Sequence, residues 1–385
     1  MWYKIKPLDT LFFRDGRPFT MGSETWAEPI FPPYPSTVYG AIWTWLIFER
    51  GGLKEFEDGK YNDELGRIIK VEKTNLKKVK KGNLTIKGPF ICLDNNNINI
   101  YFPVPFDFLK KKGAPRSEKN NLFYIDCINK PEIFISDYPL ERILINKGDY
   151  ELDECDEFLD IASLKDYLFD DNKIIVRFTE KDKIFLKEKK TGIKRSRKTL
   201  SSEEGYLYRI PMIRLKKEAS LFIEIDGLEQ NNYPKGGIIQ IGGEGKIAKI
   251  EKIENDDPLK VLRDLNFNFE NKTFKLYFAT PAIFNKGWLP DWIDDEKTFE
   301  GDYNGIKLKL VACSIGKYKL VGGWDLANKR PKPMYKAVPS GSVYYFKILD
   351  DTSADRIKEV FHLKNISDIN PEEGFGLSLV GEVIE

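Results

Sequence analysis

The chain has 385 residues, 41% of them hydrophobic and 31% charged, which is enough for one large or two medium domains with real cores. Lys and Arg number 61 against 60 Asp and Glu, a net charge of +1, so no chain-wide basic field is available and any nucleic-acid binding must rest on local clusters. The single histidine, His362, argues against a His-pair ribonuclease or a His-rich metal site, and no metal or other cofactor is expected. Cys92, Cys127, Cys155 and Cys313 fit no zinc spacing and read as reduced thiols of a cytoplasmic protein. No apolar run approaches the roughly 20 residues that span a bilayer, and Trp2-Tyr3-Lys4-Ile5 alternates like a strand, not like a signal peptide, so no membrane partner is expected.

In chain order, Trp2 to Pro7 reads as a strand. A loop follows in which Arg14 and Arg17 flank an Asp15-Gly16 turn signal. After Phe31-Pro32-Pro33-Tyr34-Pro35, Ser36-Thr37 looks like a helix cap, and Val38 to Arg50 reads as a buried helix carrying Trp43, Trp45 and Phe48. Residues 51 to about 200 are less regular and read as insertions with short strands. Within them, Leu186 to Thr199 holds seven basic residues against Glu188 alone and reads as a mobile basic loop. Gly205 to Arg214 and Ala219 to Ile225 look like a hairpin, and Ile238 to Ile253 is strand broken by Gly242-Gly243-Glu244-Gly245.

A second unit then begins. Thr273 to Thr280 is a strand, and an interrupted helix is expected near Asn285 to Lys297. Tyr303-Asn304-Gly305 is a turn before the strand Ile306 to Cys313. Val338 to Leu349 is a long aromatic strand. Ala354 to Phe361 is an amphipathic helix ending at His362, and Leu377 to Ile384 is a last strand. The order strand, helix, strand, strand, helix, strand, read in each half, predicts an α+β protein of two ferredoxin-like (RRM-like) domains with antiparallel sheets. They would cover 1–255, with the large insertion at about 51–200, and 256–385.

Four stretches can carry function. Arginine forks at Arg14 and Arg17 suit phosphate oxygens and unstacked bases, or else Arg14 pairs with Asp9 or Asp15 and ties down the loop. Lys194, Arg195, Arg197 and Lys198 lie in the basic stretch, a natural phosphate contact through counterion release or a solvated loop. Tyr206 and Tyr208 beside it fit one side of a strand. Lys329, Arg330 and Lys332 sit among Pro331 and Pro333, which keep the segment extended, and Trp324 nearby either stacks on a base or packs into the core. Gly374-Phe375-Gly376 can bring backbone N–H groups close to a phosphate chain, or form a turn into the last strand.

Together these motifs resemble one family. Leu8 to Phe19, Phe31 to Ala41, Ile241-Gly242-Gly243-Glu244, and Gly322-Gly323-Trp324-Asp325 through Pro339-Ser340-Gly341-Ser342 are similar to the third subunit of Cmr-type, type III-B CRISPR effector complexes, a member of the RAMP superfamily. The Gly374 to Gly381 stretch is similar to the glycine-rich loop of RAMP proteins generally. Residues 51 to 185 carry little of the resemblance. Where many relatives have a basic residue in the first helix, this chain has Ile42-Trp43-Thr44, so no contact is assigned there.

The resemblance implies a non-catalytic subunit that holds the 5′ tag of the guide (CRISPR) RNA. It also implies docking to the large polymerase-like Cmr subunit and to the backbone RAMP subunits. A competing reading is a metal-free guide-processing endoribonuclease, which would need His362 or a Tyr/Lys pair at the scissile phosphate. A glycan-binding protein, suggested by 13% aromatic residues, is a third.

Overall fold

Trp2–Pro7 forms strand β1 at the centre of a sheet, and the fold is most easily followed outward from it. The computed structural model describes the chain apart from residues 15–28, 71–76, 95–97, 114–121, 135, 137–138, 149–150, 170–177, 196–200, 255–256, 270, 294–296, 326–327 and 384–385; within strands, the side chains of 70, 77, 193–195 and 202–209 also lie outside the description. The described residues divide into two units interleaved along the chain. The first comprises Met1–Asp94, Asp182–Asp256 and Leu320–Tyr335; the second comprises Asn95–Lys181, Asp257–Lys319 and Lys336–Glu385. The inserted region thus does not stay with the first domain as expected. Residues 95–181 belong to the second unit, and 320–335 return to the first.

In the first unit, β1 lies between two antiparallel neighbours, Ala219–Asp226 (β5) and Ile247–Ile253 (β7). Thr85–Asp94 (β2) pairs with the far side of β5, and Gly236–Gln240 (β6) with the far side of β7, giving the order β2-β5-β1-β7-β6. Tyr3 and Ile5, two apart on β1, are fully buried on one face, as period-two alternation requires. Helix α1 (Pro35–Glu49) packs there, with Tyr3 edge-on to Trp45 at 5.8 Å. The helix starts at Pro35, whose fixed φ suits the first turn, and Tyr34 precedes it without a side-chain cap; the cap expected at Ser36-Thr37 lies inside the helix. At its far end, Arg50 pairs with the buried carboxylate of Glu64, which also accepts from Asn232 (3.0 Å) and the Glu229 N–H. Burial pushes the Glu64 carboxyl up, but these donors outweigh it and hold the group below its ordinary value.

The second unit has the strand order β9-β10-β11-β8-β13-β12, built from Thr273–Phe278 (β8), Glu300–Tyr303 (β9), Ile306–Ser314 (β10), Val343–Ile348 (β11), Lys364–Asn365 (β12) and Leu377–Glu382 (β13). These ladders too are antiparallel. Asn304 and Gly305, both at positive φ, turn β9 into β10 as their sequence predicts. Helix α2 (Ile161–Leu168) is capped by Asp160, which accepts from Ser163 N–H at 2.8 Å. Helix α3 (Ala354–Phe361) is capped by Ser353 and buries Ile357, Val360 and Phe361. Its Phe361 joins Phe274, Phe346, Tyr303 and Trp292 in a core of ring contacts between 5.1 and 6.1 Å.

Three expectations are corrected. No helix forms in the described part of Asn285–Lys297. The bridges Phe284 to Gly287 and Lys286 to Leu289 fold the segment into tight turns, and Pro290 has no N–H to donate to a helical ladder. The aromatic strand is shorter than expected, because Pro339 to Ser342 make a turn before β11. The strand after Gly205 does not pair with Ala219 to Ile225, since β5 is taken up between β1 and β2. Its partner is the basic stretch itself.

Candidate nucleic-acid interface

Phe185–Arg195 (β3) and Ser202–Leu215 (β4) form a long two-stranded antiparallel ribbon, in register from Phe185 opposite Leu215 to Ile193 opposite Leu207. The stretch expected to be a loop is therefore strand up to Arg195. Lys187, Lys189 and Lys190 are exposed along it. The backbones of Lys194 and Arg195 lie at its far end, with Arg195 opposite Ser202; their side chains, and all of Arg197 and Lys198, lie outside the described residues. So do the side chains of Tyr206 and Tyr208.

The root of this ribbon is where the family-like motifs meet. Leu11 bridges Ile213 of β4 through a reciprocal pair of backbone hydrogen bonds, 2.7 and 2.8 Å. Phe12 is buried against Ile210 and Met212 of the same strand. Phe31 packs its ring, tilted by 51° at 4.6 Å between centroids, against Phe185, the first residue of β3. From the other side, Gly243 N–H donates to the Phe12 carbonyl at 2.9 Å. Gly242 has φ +77°, and a Cβ there would lie 2.6 Å from the same carbonyl oxygen, so only glycine fits. Three motifs far apart in sequence are thus one structural joint.

Charge is arranged around that joint. Asp9 accepts from Lys246 (2.9 Å) and Arg214 (3.2 Å), and Arg214 also pairs with Glu188 of β3. The Lys246 hydrogen bond, followed by the Thr10 backbone, holds the Asp9 carboxyl down at about 2. Asp9 is therefore committed to residues other than Arg14, which is exposed and bridges Pro29 through its backbone. Arg17 lies outside the described residues. A shallow cleft at the joint is lined by Lys6, Asp9, Arg214, Lys216 and Lys217, four cations to one carboxylate.

The third stretch is a small hairpin of the first unit. Trp324–Asp325 pairs with Arg330–Pro331, and Lys332 N–H donates to the Gly323 carbonyl at 2.9 Å. Lys329, Arg330 and Lys332 are exposed. Prolines were expected to keep this segment merely extended; they occur here at and beyond an edge that needs no further donors. Trp324, for which core packing was the other reading, is 55% exposed.

The glycine-rich stretch in the second unit is different. Gly374 (φ +99°) and Gly376 (φ +70°) are buried. Gly374 N–H donates to the Pro371 carbonyl at 3.0 Å and Gly376 N–H to the Pro281 carbonyl at 2.7 Å. Thr280 Oγ donates to the Gly374 carbonyl (2.7 Å) and accepts from Leu377 N–H (2.9 Å). A Cβ on Gly376 would lie 2.6 Å from Ser367 N. These two amides hold the turn together and are engaged within the fold.

His362 is 5% exposed at the end of α3. Its Nε2 lies 2.9 Å from the Leu262 carbonyl, and its Nδ1 accepts the Val380 N–H at 3.1 Å, which fixes the Nε2-protonated neutral tautomer. Burial lowers its pKa to about 4. Burial likewise raises the thiols of Cys155 and Cys313 to about 12. Among the described residues no group of three or more His, Cys, Asp or Glu side chains is gathered as a metal ion would need, and no helix is long and apolar enough to cross a membrane.

The comparisons with known proteins agree with the motif resemblance. The chain is 28% identical over 355 residues to "CRISPR system CMR subunit Cmr3" of Saccharolobus solfataricus, covering 90% of this chain and 86% of that protein. Among solved structures it is similar to a chain of the type III-B Cmr-beta complex bound to cognate target RNA and AMPPnP, at 19% identity and TM-score 0.48, over 90% of this chain and 86% of that one. A chain of the Csm3–Csm4 subcomplex of the type III-A interference complex matches at 14% identity and TM-score 0.37, over 92% and 95%. The model of the family described as CRISPR-associated protein (Cas_Cmr3) matches residues 3–383, nearly the whole sequence, and the chain belongs to that family.

Proposed function

We propose that this chain is a non-catalytic, RNA-holding subunit of a type III-B CRISPR effector complex in antiviral defence. It binds the 5′ tag of the guide RNA and docks the large polymerase-like subunit and the backbone RAMP subunits. The observation that carries the reading is the basic ribbon β3–β4, anchored at a joint made from three of the family-like motifs. A two-stranded ribbon on its own has little core, and the exposed Lys187, Lys189 and Lys190 suit a polyanion held by counterion release. Arg14 and the cleft cations at the joint, and Lys329, Arg330 and Lys332 on the small hairpin, extend the same chemistry over the first unit. The strand orders β2-β5-β1-β7 and β10-β11-β8-β13 support reading each unit as ferredoxin-like, the first without the second helix of that pattern and the second without the first.

The geometry of His362 weighs against the endoribonuclease reading. A neutral imidazole with both ring nitrogens engaged by backbone, inside the second unit's core, cannot take or give a proton at a phosphate ester. The test is binding of the purified chain, alone and with the large subunit, to a short single-stranded RNA carrying a repeat-derived 5′ tag. The expected result is salt-sensitive, tag-preferring binding with no metal-free cleavage. Absence of binding in both settings, or cleavage abolished by His362→Ala, would overturn the proposal.

A further inference from the structure

Of the described tryptophans, Trp324 alone is exposed, at 55%. Trp2 and Trp45 are buried at 6% and 5%. The hairpin that carries Trp324 is too short to bury an indole. In its register Trp324 lies opposite Pro331, and Asp325 opposite Arg330, so the indole and the proline ring share one face. Arg330 and Lys332 alternate to the other face, where the Lys332 stem runs alongside Gly323. From Trp324 to Lys332 the hairpin holds three cations, Lys329, Arg330 and Lys332, against the single carboxylate of Asp325. Asp325 is turned inward, accepting from the backbone N–H (3.1 Å) and Nδ2 (2.6 Å) of Asn328. An exposed indole on one face of a hairpin whose other residues include three exposed cations is the combination that takes an unstacked base and its phosphates.

We propose that Trp324 is a base-stacking platform for single-stranded RNA, with Lys329, Arg330 and Lys332 of the same hairpin as phosphate contacts. The inference rests on the RNA-holding role proposed above and adds to it a residue whose contribution does not depend on charge. An indole anchor can also serve a protein interface. The excess of cations on the same short hairpin favours a polyanion with aromatic bases.

The test uses the full chain, a short single-stranded RNA, and the same RNA with every base removed. Trp324→Ala should weaken binding to the base-bearing RNA by about tenfold, and Trp324→Phe by much less. The slope of log affinity against log salt should stay unchanged in both, because no charge is lost. Replacing Lys329, Arg330 and Lys332 together by Ala should instead flatten that slope, by about 0.7 for each phosphate contact removed. On the abasic RNA the Trp324→Ala penalty should vanish. An equal penalty on both RNAs, or none on either, would overturn the stacking assignment while leaving the RNA-holding role intact. So would normal RNA binding by Trp324→Ala together with lost capture of the large subunit, which would make the hairpin a protein contact. No RNA binding by the unsubstituted chain would remove the parent reading and this one with it.

Discussion

The first unit carries its singled-out cations on elements outside its main sheet: the β3–β4 ribbon, the loop at Arg14 and the Trp324 hairpin. In the second unit the corresponding polar groups are buried and answered from within. His362 sits between two backbone groups, and Gly374 and Gly376 spend their amides on neighbouring carbonyls. Asp107, fully buried, accepts from the hydroxyls of Tyr167 (2.7 Å) and Tyr345 (2.6 Å) beside Lys275, whose ammonium lies 3.9 Å from the Tyr167 ring centroid. Polar groups that face water are available to a ligand, whereas buried ones are held because leaving them unpaired is costly. Substitutions should therefore separate: those in the second unit cost stability, and those on the ribbon, the Arg14 loop and the Trp324 hairpin cost RNA.

The largest loss of stability is expected from Asp107→Ala. Two tyrosine hydroxyls would lose their acceptor and the carboxylate would leave a cationic neighbourhood. A loss of about 4 kcal/mol in chemical denaturation is expected. Survival of full stability would show that the network does not hold the second unit.

Next comes pH. Unfolded, the His362 imidazole titrates near 6.5, but folded it titrates at about 4. Above pH 6.5 it is neutral in both states and has no effect. As pH falls from 6.5 to 4 the unfolded chain takes up a proton that the folded chain refuses, so stability declines by up to about 3 kcal/mol and then levels off. His362→Gln should remove this part of the slope, read from unfolding midpoints across the window.

Gly242→Ala should cost about 2 kcal/mol, from positive φ and the clash with the Phe12 carbonyl. It should also weaken RNA binding, since it disturbs the joint on which the ribbon stands. The smallest stability effect is expected from Arg214→Ala, an exposed side chain between Asp9 and Glu188. A thermal melt should barely move.

Much of the fold was legible because one-sided burial imprints a period on the sequence. β1, α1, the β6–β7 break, β10 after its Asn304-Gly305 turn, and α3 all lie where the pattern put them. The ribbon was not legible. With water on both faces, β3 reads Phe-Leu-Lys-Glu-Lys-Lys-Thr, with no alternation to mark a strand. Helix α2 carries only a short local signal, the N-cap residue Asp160, set among irregular segments. The helix expected near Asn285 to Lys297 fails at Pro290, which lacks the donor a helix needs there. At the candidate site, residue type correctly marked where cations cluster. It could not reveal that Leu11, Phe12 and Gly242 meet, because that joint is a long-range contact, or that Trp324 is exposed, because burial is a property of the fold.

The central claim is that the first unit's ribbon holds RNA, and the most direct measurement removes its described charge. Lys187, Lys189 and Lys190 would be replaced together by Ala, and binding to tag-bearing single-stranded RNA followed across a salt series beside a thermal melt. The account expects an unchanged melt, affinity reduced at least tenfold at low salt, and a slope of log affinity against log salt shallower by up to about two. An unchanged slope and affinity in a folded variant would contradict it, and would move the RNA-binding surface away from the ribbon.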